Sequence, residues 1–147
     1  MLKDFVKKLQ AEHLELYQKL QFFLTELAKN KVEIDREHLM KNSKACLAYL
    51  KKLIDGHFKL EEEKLFPVLV KLKLPKEDVK KLIDDHKEIK QKFVTCFKNF
   101  KALNSGEETE LDLKQDLLFK LYNLLATINH HAQREDKIFF KLKKLAK

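Results

Sequence analysis

The sequence predicts an all-α protein, an antiparallel up-down-up-down four-helix bundle, on three observations. Across 147 residues there are only 2 Gly and 2 Pro, while Leu, Lys, Glu and Phe abound, which favours long helices with few turns. Apolar residues recur in alternating steps of three and four along four separate stretches, the period of a helix with one face on a core. The stretches are joined by short polar links, and short links make successive helices antiparallel neighbours. The length is that of a single domain, residues 1–147, able to bury one core.

The first helix covers residues 2–29, with its stripe at Val6, Leu9, His13, Leu16, Leu20, Phe23 and Leu27, and NKVEID breaks it. The second stripe runs through Cys46, Leu50, Leu53, His57, Glu61, Leu65 and Val68. Pro67 is expected to kink or thin its last turns, because proline has no N–H to give the helix. Pro75 fits the first position of the third helix, with Glu77 and Asp78 in the first turn, where the helix dipole favours negative charge. Its stripe reads Val79, Leu82, His86, Ile89, Phe93, Phe97 and Phe100. In NSGEETELD, Gly106 suits a helix end, and Asp112 or a neighbour suits the cap of the next helix. That last helix carries Leu117, Leu121, Leu124, Ile128, His131, Glu135, Ile138 and Leu142.

The net charge of +8 is almost wholly lysine, since Arg36 and Arg134 are the only arginines. Nucleic-acid recognition leans on arginine's planar fork, and here the lysines are spread along every segment, so a solvated basic surface is expected and no nucleic-acid partner. Cys46 and Cys96 are expected as buried thiols in a reducing compartment. The N-terminal MLKDFVKKLQ has no apolar core of signal-peptide length, and no run approaches the roughly 18 apolar residues of a membrane span. A cytoplasmic protein, monomeric or weakly dimeric, is expected.

Each stripe is interrupted by a histidine, at His13, His57, His86 and His131, and the second and fourth also by a glutamate one turn later, Glu61 and Glu135. His13 and His57 are 44 apart and His86 and His131 are 45 apart, so the chain repeats one helical-hairpin pattern. The midpoints of His13 with His57, His57 with His86, and His86 with His131 fall at or close to the three breaks. In an antiparallel bundle this puts all four histidines in one layer. Positions i and i+4 share a helix face, so Glu61 and Glu135 point inward with them. Four imidazoles and two carboxylates in a dry core require a cation, since unpaired buried charge costs several kcal/mol.

Nitrogen and carboxylate donors without thiolate suit iron, manganese or zinc, and there are more donors than one ion needs. Two octahedral ions with four histidines, two bridging carboxylates and one bridging oxo or hydroxo keep about two positions open, as a redox or gas-binding centre does and a closed structural site does not. The order His13, then His57 with Glu61, then His86, then His131 with Glu135, and the EEEKLFP after His57, resemble the hemerythrin-like, or HHE cation-binding, family over essentially the whole chain. Ferritin-like carboxylate bundles instead use Glu and ExxH pairs. Oxygen-carrying hemerythrins resemble one another in a second histidine one turn after the third-helix ligand, where this chain has Lys90. The four-histidine set is closer to diiron proteins linked to nitric-oxide stress and repair of iron-sulfur clusters.

The resemblance implies two iron ions, Fe2+/Fe3+, and a small diatomic or peroxide ligand that is bound, sensed or reduced, with an electron donor if the centre is redox-active. An iron-binding, storage or iron-responsive interaction module without catalysis is the alternative. In INHHAQREDK the ligand is either His131, spaced HxxxE, or His130, one residue further from Glu135. Rotation from Leu117 puts His131 about 40° from the stripe centre and His130 about 140° from it, which favours His131. Lys90, near the face of His86, must snorkel to solvent, lose its charge or pair with a carboxylate. His38 is expected on the surface, as are Glu62 and Glu63, although Glu62 adjoins a candidate ligand. Cys46 is expected in the packing, and Tyr17, Tyr49 and Tyr122 can each approach the core.

Overall fold

The α1 helix, Leu2–Ala28, buries its predicted stripe in full, from Val6 to Leu27. It ends without a glycine, because Asn30 turns the chain: its amide carbonyl accepts the Asp35 N–H at 3.0 Å, and Asp35 then caps the next helix by accepting the His38 N–H. The protein's structure, a computed structural model, describes residues 2–72, 74–106 and 110–145, and the side chains of all these except 110–112 and 145.

The second rod, α2, starts as Arg36–Lys52, passes through two wide π-helical stretches, Leu53–Phe58 and Glu61–Leu65, and finishes as Phe66–Lys71. The wide turns settle a problem of phase. In an α-helix each four-residue step overshoots a full turn by about 40°, so His57, Glu61, Leu65 and Leu69 would drift about 120° around the rod. Bonds from i to i+5, such as Phe66 N–H to Glu61 C=O, slow the rotation and hold all four on the inner face. Leu53 and Val68 are only half-buried as a result, and Leu69 takes the innermost place of the last turn. Pro67 breaks nothing, since it falls in the first turn of Phe66–Lys71, where a missing N–H is tolerated.

Helix α3, Lys76–Asn104, begins one residue later than expected, with Pro75 as its cap residue. Its upper half follows Ile89, Phe93, Cys96, Phe100 and Leu103, so Cys96 is buried and Phe97 turns outward at 38 % exposure, correcting the predicted stripe. The helix ends at Ser105, and Gly106 follows at φ +78°, a left-handed conformation that glycine adopts without a side-chain penalty. Helix α4 spans Glu110–Leu145, so Asp112 falls inside the helix instead of capping it, and its side chain lies outside the description.

Each helix packs on its neighbours in chain order, and α1 closes on α4. The core comes in two dry blocks. One joins Leu16–Leu27, Leu39–Leu50, Ile89–Leu103 and Leu117–Ala132; the other joins Val6 and Leu9 with Leu65–Leu69, Val79, Leu82 and Ile138–Leu142. The four histidines lie between them. Among the described residues there is no strand, and no helix is long and apolar enough to cross a membrane.

His38 is half-buried and held on both sides: one ring nitrogen meets Asn30 at 3.1 Å and the other meets Glu26 at 3.1 Å. Asn30, 1 % exposed, therefore holds Leu27, Asp35 and His38 together. Asn30→Ala is expected to lower unfolding free energy by about 1–3 kcal/mol, the cost of stranding such partners. Urea denaturation measures it, and an unchanged midpoint would show that the turn does not depend on this side chain.

Candidate metal centre

All six predicted residues meet in the central layer, and all are at most 9 % exposed. His13 Nε2 lies 2.8 Å from Glu135 Oε1, and His57 Nε2 lies 3.4 Å from Glu61 Oε1 and 3.9 Å from Glu135 Oε1. On the other side His86 Nε2 is 3.2 Å from Glu61 Oε1, His131 Nε2 is 3.2 Å from Glu135 Oε2, and the two Nε2 atoms are 3.1 Å apart. The donors form two overlapping groups, His13, His57, Glu61, Glu135 and Glu61, His86, His131, Glu135, each with its donor atoms within 4.8 Å of one another. Both groups have two histidines, and both carboxylates are shared. His131 points inward, and His130 is exposed.

Every Nε2 faces the interior because every Nδ1 is engaged outside. His13 Nδ1 meets Asp136 at 2.7 Å, His57 Nδ1 meets Glu12 at 2.5 Å, His86 Nδ1 meets Glu62 at 2.6 Å and His131 Nδ1 meets Asp85 at 3.0 Å. A carboxylate on Nδ1–H fixes the ring orientation and leaves the Nε2 lone pair for a cation. Phe58 stacks on His86 at 3.9 Å, while Phe66 packs on His86 and Phe139 on His13, so aromatic walls keep the imidazoles in place.

The outer carboxylates have partners of their own. Lys90 Nζ meets both Glu62 oxygens, at 2.8 and 3.0 Å. Arg134 grips Asp85 through two parallel bonds of 3.0 Å, and the Tyr17 hydroxyl donates to Asp136. Lys90 thus pairs with a carboxylate, and Glu62 belongs to the centre instead of the solvated face. Of the other candidates, Cys46 packs in the core as expected, and Tyr122 buries its hydroxyl without a partner.

Glu12, Asp85, Asp136 and Arg134 were not legible as site residues from the inward stripe, and Tyr17 was legible only as a residue able to approach the core. A signal was present nonetheless: an acidic residue stands directly beside His13, Glu61, His86 and Glu135 in the sequence.

Burial opposes charge on His13, but Asp136 and Glu135 outweigh it and raise its pKa to about 9. His57 and His131 are raised too, against burial, by Glu135 with Glu12 and by Asp85 with Glu135 respectively. His86 falls to about 4 through burial and the neighbouring His131. Burial and the charge of Glu135 push the Glu61 carboxyl up, while Glu135 is held down, against burial, by its contacts with Glu61 and three histidines. Apart from the imidazole nitrogens they face, the buried oxygens of Glu61 and Glu135 have no hydrogen-bond partner. Orphaned carboxylate oxygens facing imidazole nitrogens are what a hard or borderline cation satisfies, so the residues fit metal.

The family model described as the Hemerythrin HHE cation binding domain matches residues 4–142. No curated protein and no solved structure matches the chain.

A cation taken up here displaces protons from the raised histidines, so metal affinity is expected to increase with pH up to about 9, with protons released on binding. The metal-free fold responds oppositely. His13 bound to Asp136 and Glu135 stabilises it fully below pH 6.5, and this contribution is lost as pH rises through about 9. Indicator-dye titration with a divalent metal at neutral pH checks the first point, and uptake without proton release would refute it. Thermal melts of metal-free protein across that window check the second.

Proposed function

The chain belongs to the hemerythrin HHE cation-binding family, and from that premise we propose a non-haem diiron protein that binds, senses or reduces a small oxidant: oxygen, nitric oxide or peroxide. One observation carries the metal reading: four buried carboxylate oxygens with no hydrogen-bond partner apart from the four Nε2 atoms around them, which lie at 2.8–3.9 Å. His13 and His57 would hold one iron and His86 and His131 the other, with Glu61 and Glu135 between them. Bound iron would supply one-electron redox chemistry and vacant coordination for the oxidant.

The protein's own residues supply the rest. The Nδ1 carboxylates orient the four imidazoles and raise their basicity. Phe58, Phe66 and Phe139 keep water from the layer. A cavity of about 390 Å³ opens between α2 and α3 and reaches His86, with Phe66, Pro67, Val70 and Ile83 as apolar walls and Glu62, Lys87 and Lys90 among its polar lining. It is wide enough for a diatomic or peroxide, and its apolar walls suit neutral gases. An electron donor is required for any reductive turnover.

A second reading, an iron-responsive module without catalysis, is favoured by the fact that all four helices contribute a donor, so that occupancy would govern bundle stability. The readings separate on one experiment. Anaerobic reconstitution with ferrous iron is expected to give two irons per chain, and exposure to oxygen, nitric oxide or peroxide a new visible absorption. Two irons and a raised melting temperature, with no absorption change under any of the three, would leave the second reading.

The carboxylates have their own test. Glu61→Ala or Glu135→Ala removes donors from both groups, so each is expected to lower iron content well below two per chain by elemental analysis. Full iron content with an unchanged spectrum in both variants would overturn the carboxylate assignment.

A further inference from the structure

The two donor groups have matching inner residues but unequal surroundings. Behind the His13–His57 group stand Glu12 and Asp136, and among the described residues neither carboxylate has a lysine or arginine within 4 Å; Asp136 has the Tyr17 hydroxyl instead. Behind the His86–His131 group stand Glu62 and Asp85, and here Lys90 lies 2.8 Å from Glu62, Arg134 lies 3.0 Å from Asp85, and Lys81 lies 3.8 Å from Asp85. The first group is backed by two negative charges. The second is backed by two negative and three positive, a net difference of three.

Two physical effects act in the same direction. Negative charge a few ångströms behind the imidazoles with no cationic side chain beside it attracts a cation directly, and compensating positive charge reduces that attraction. An imidazole whose Nδ1–H is held by a bare carboxylate is also a more basic ligand at Nε2, and a cation drawing on that carboxylate takes part of the gain back.

Resting on the two-cation reading, we propose that fixed charge outside the donors makes the positions unequal. The His13–His57 position takes its cation first and holds it, and the His86–His131 position, backed by Lys90 and Arg134, holds the second loosely and exchanges it. Lys90 and Glu12 are positioning residues in this scheme. Each acts on a cation through the histidine chain it terminates.

The test is an anaerobic titration of the full chain with divalent cobalt, followed by its visible bands, for wild type, Lys90→Met and Glu12→Gln. Cobalt takes nitrogen and oxygen donors and reports binding independently of any activity toward an oxidant. Gln keeps an acceptor for the His57 Nδ1–H while removing the charge. Repulsion between two cations that share carboxylates would split the binding into two steps even at equal positions, so the split itself decides nothing.

What decides is which step each variant moves. Lys90→Met is expected to tighten the second step about tenfold and leave the first in place, and Glu12→Gln to loosen the first about tenfold and leave the second, the scale on which changes outside the direct ligands act. Both side chains are partly exposed, at 42 % for Lys90 and 37 % for Glu12, and circular dichroism checks that the helices persist. Variants that shift both steps alike would show equivalent positions and overturn the inference while leaving the two-metal reading intact. Fewer than two cobalt ions per wild-type chain would overturn both.

Discussion

Each helix of this bundle is tied to the next by a hydrogen bond between an imidazole and a carboxylate, and the four bonds close into a ring. His13 of α1 reaches Asp136 of α4, His131 of α4 reaches Asp85 of α3, His86 of α3 reaches Glu62 of α2, and His57 of α2 returns to Glu12 of α1. The rest of the centre depends on this ring. It fixes every Nδ1 as the engaged nitrogen, turns every Nε2 inward, and so assembles a shell of lone pairs around two carboxylates.

The ring can be traced to neighbours in sequence. Adjacent helical residues are about 100° apart, so when one points into the core the other points toward a flanking helix. On α1 and α3 the outer carboxylate precedes its inner residue, as Glu12 precedes His13 and Asp85 precedes His86. On α2 and α4 it follows, as Glu62 follows Glu61 and Asp136 follows Glu135. Reversing a helix reverses the sense in which its residues wind, so "before" on an ascending helix and "after" on a descending one point the same way around the bundle. The alternation of order is the up-down-up-down topology expressed in single-residue offsets.

This explains what was legible in the sequence and what was not. The helices, the inward stripe and the common depth of His13, His57, His86 and His131 follow from periodicity and loop midpoints, which involve one helix or one hairpin at a time. Glu12, Asp85 and Asp136 act across helix boundaries, and an amphipathic pattern assigns such flanking positions to solvent. His38 escaped for the same reason, since its partner Asn30 belongs to the preceding turn. The π-helical turns of α2 had a sequence correlate in the unbroken steps of four from His57 to Leu69, which a stripe of alternating threes and fours cannot sustain on one face. Phe97 was misplaced by the converse error: a step of four after Phe93, where the helix needed three to reach Cys96.

Lys90 shows how an outer residue can set what an inner one would otherwise decide. It stands one turn after His86, beside the layer. The lysine stem carries its charge to the Glu62 carboxylate, where the ammonium ends 2.8 Å from Oε2. A donor at that position would make one group richer in histidine than the other. With lysine there, both groups keep two histidines and the same two glutamates, so the donor types do not distinguish them. A difference in charge between the two halves comes from outside the donors, from Lys90, Arg134 and Lys81 on one side and, on the other, from the carboxylates of Glu12 and Asp136, which no lysine or arginine meets among the described residues. In this bundle the choice of ligands sets which cations fit, and the charges one layer further out set how the two halves differ.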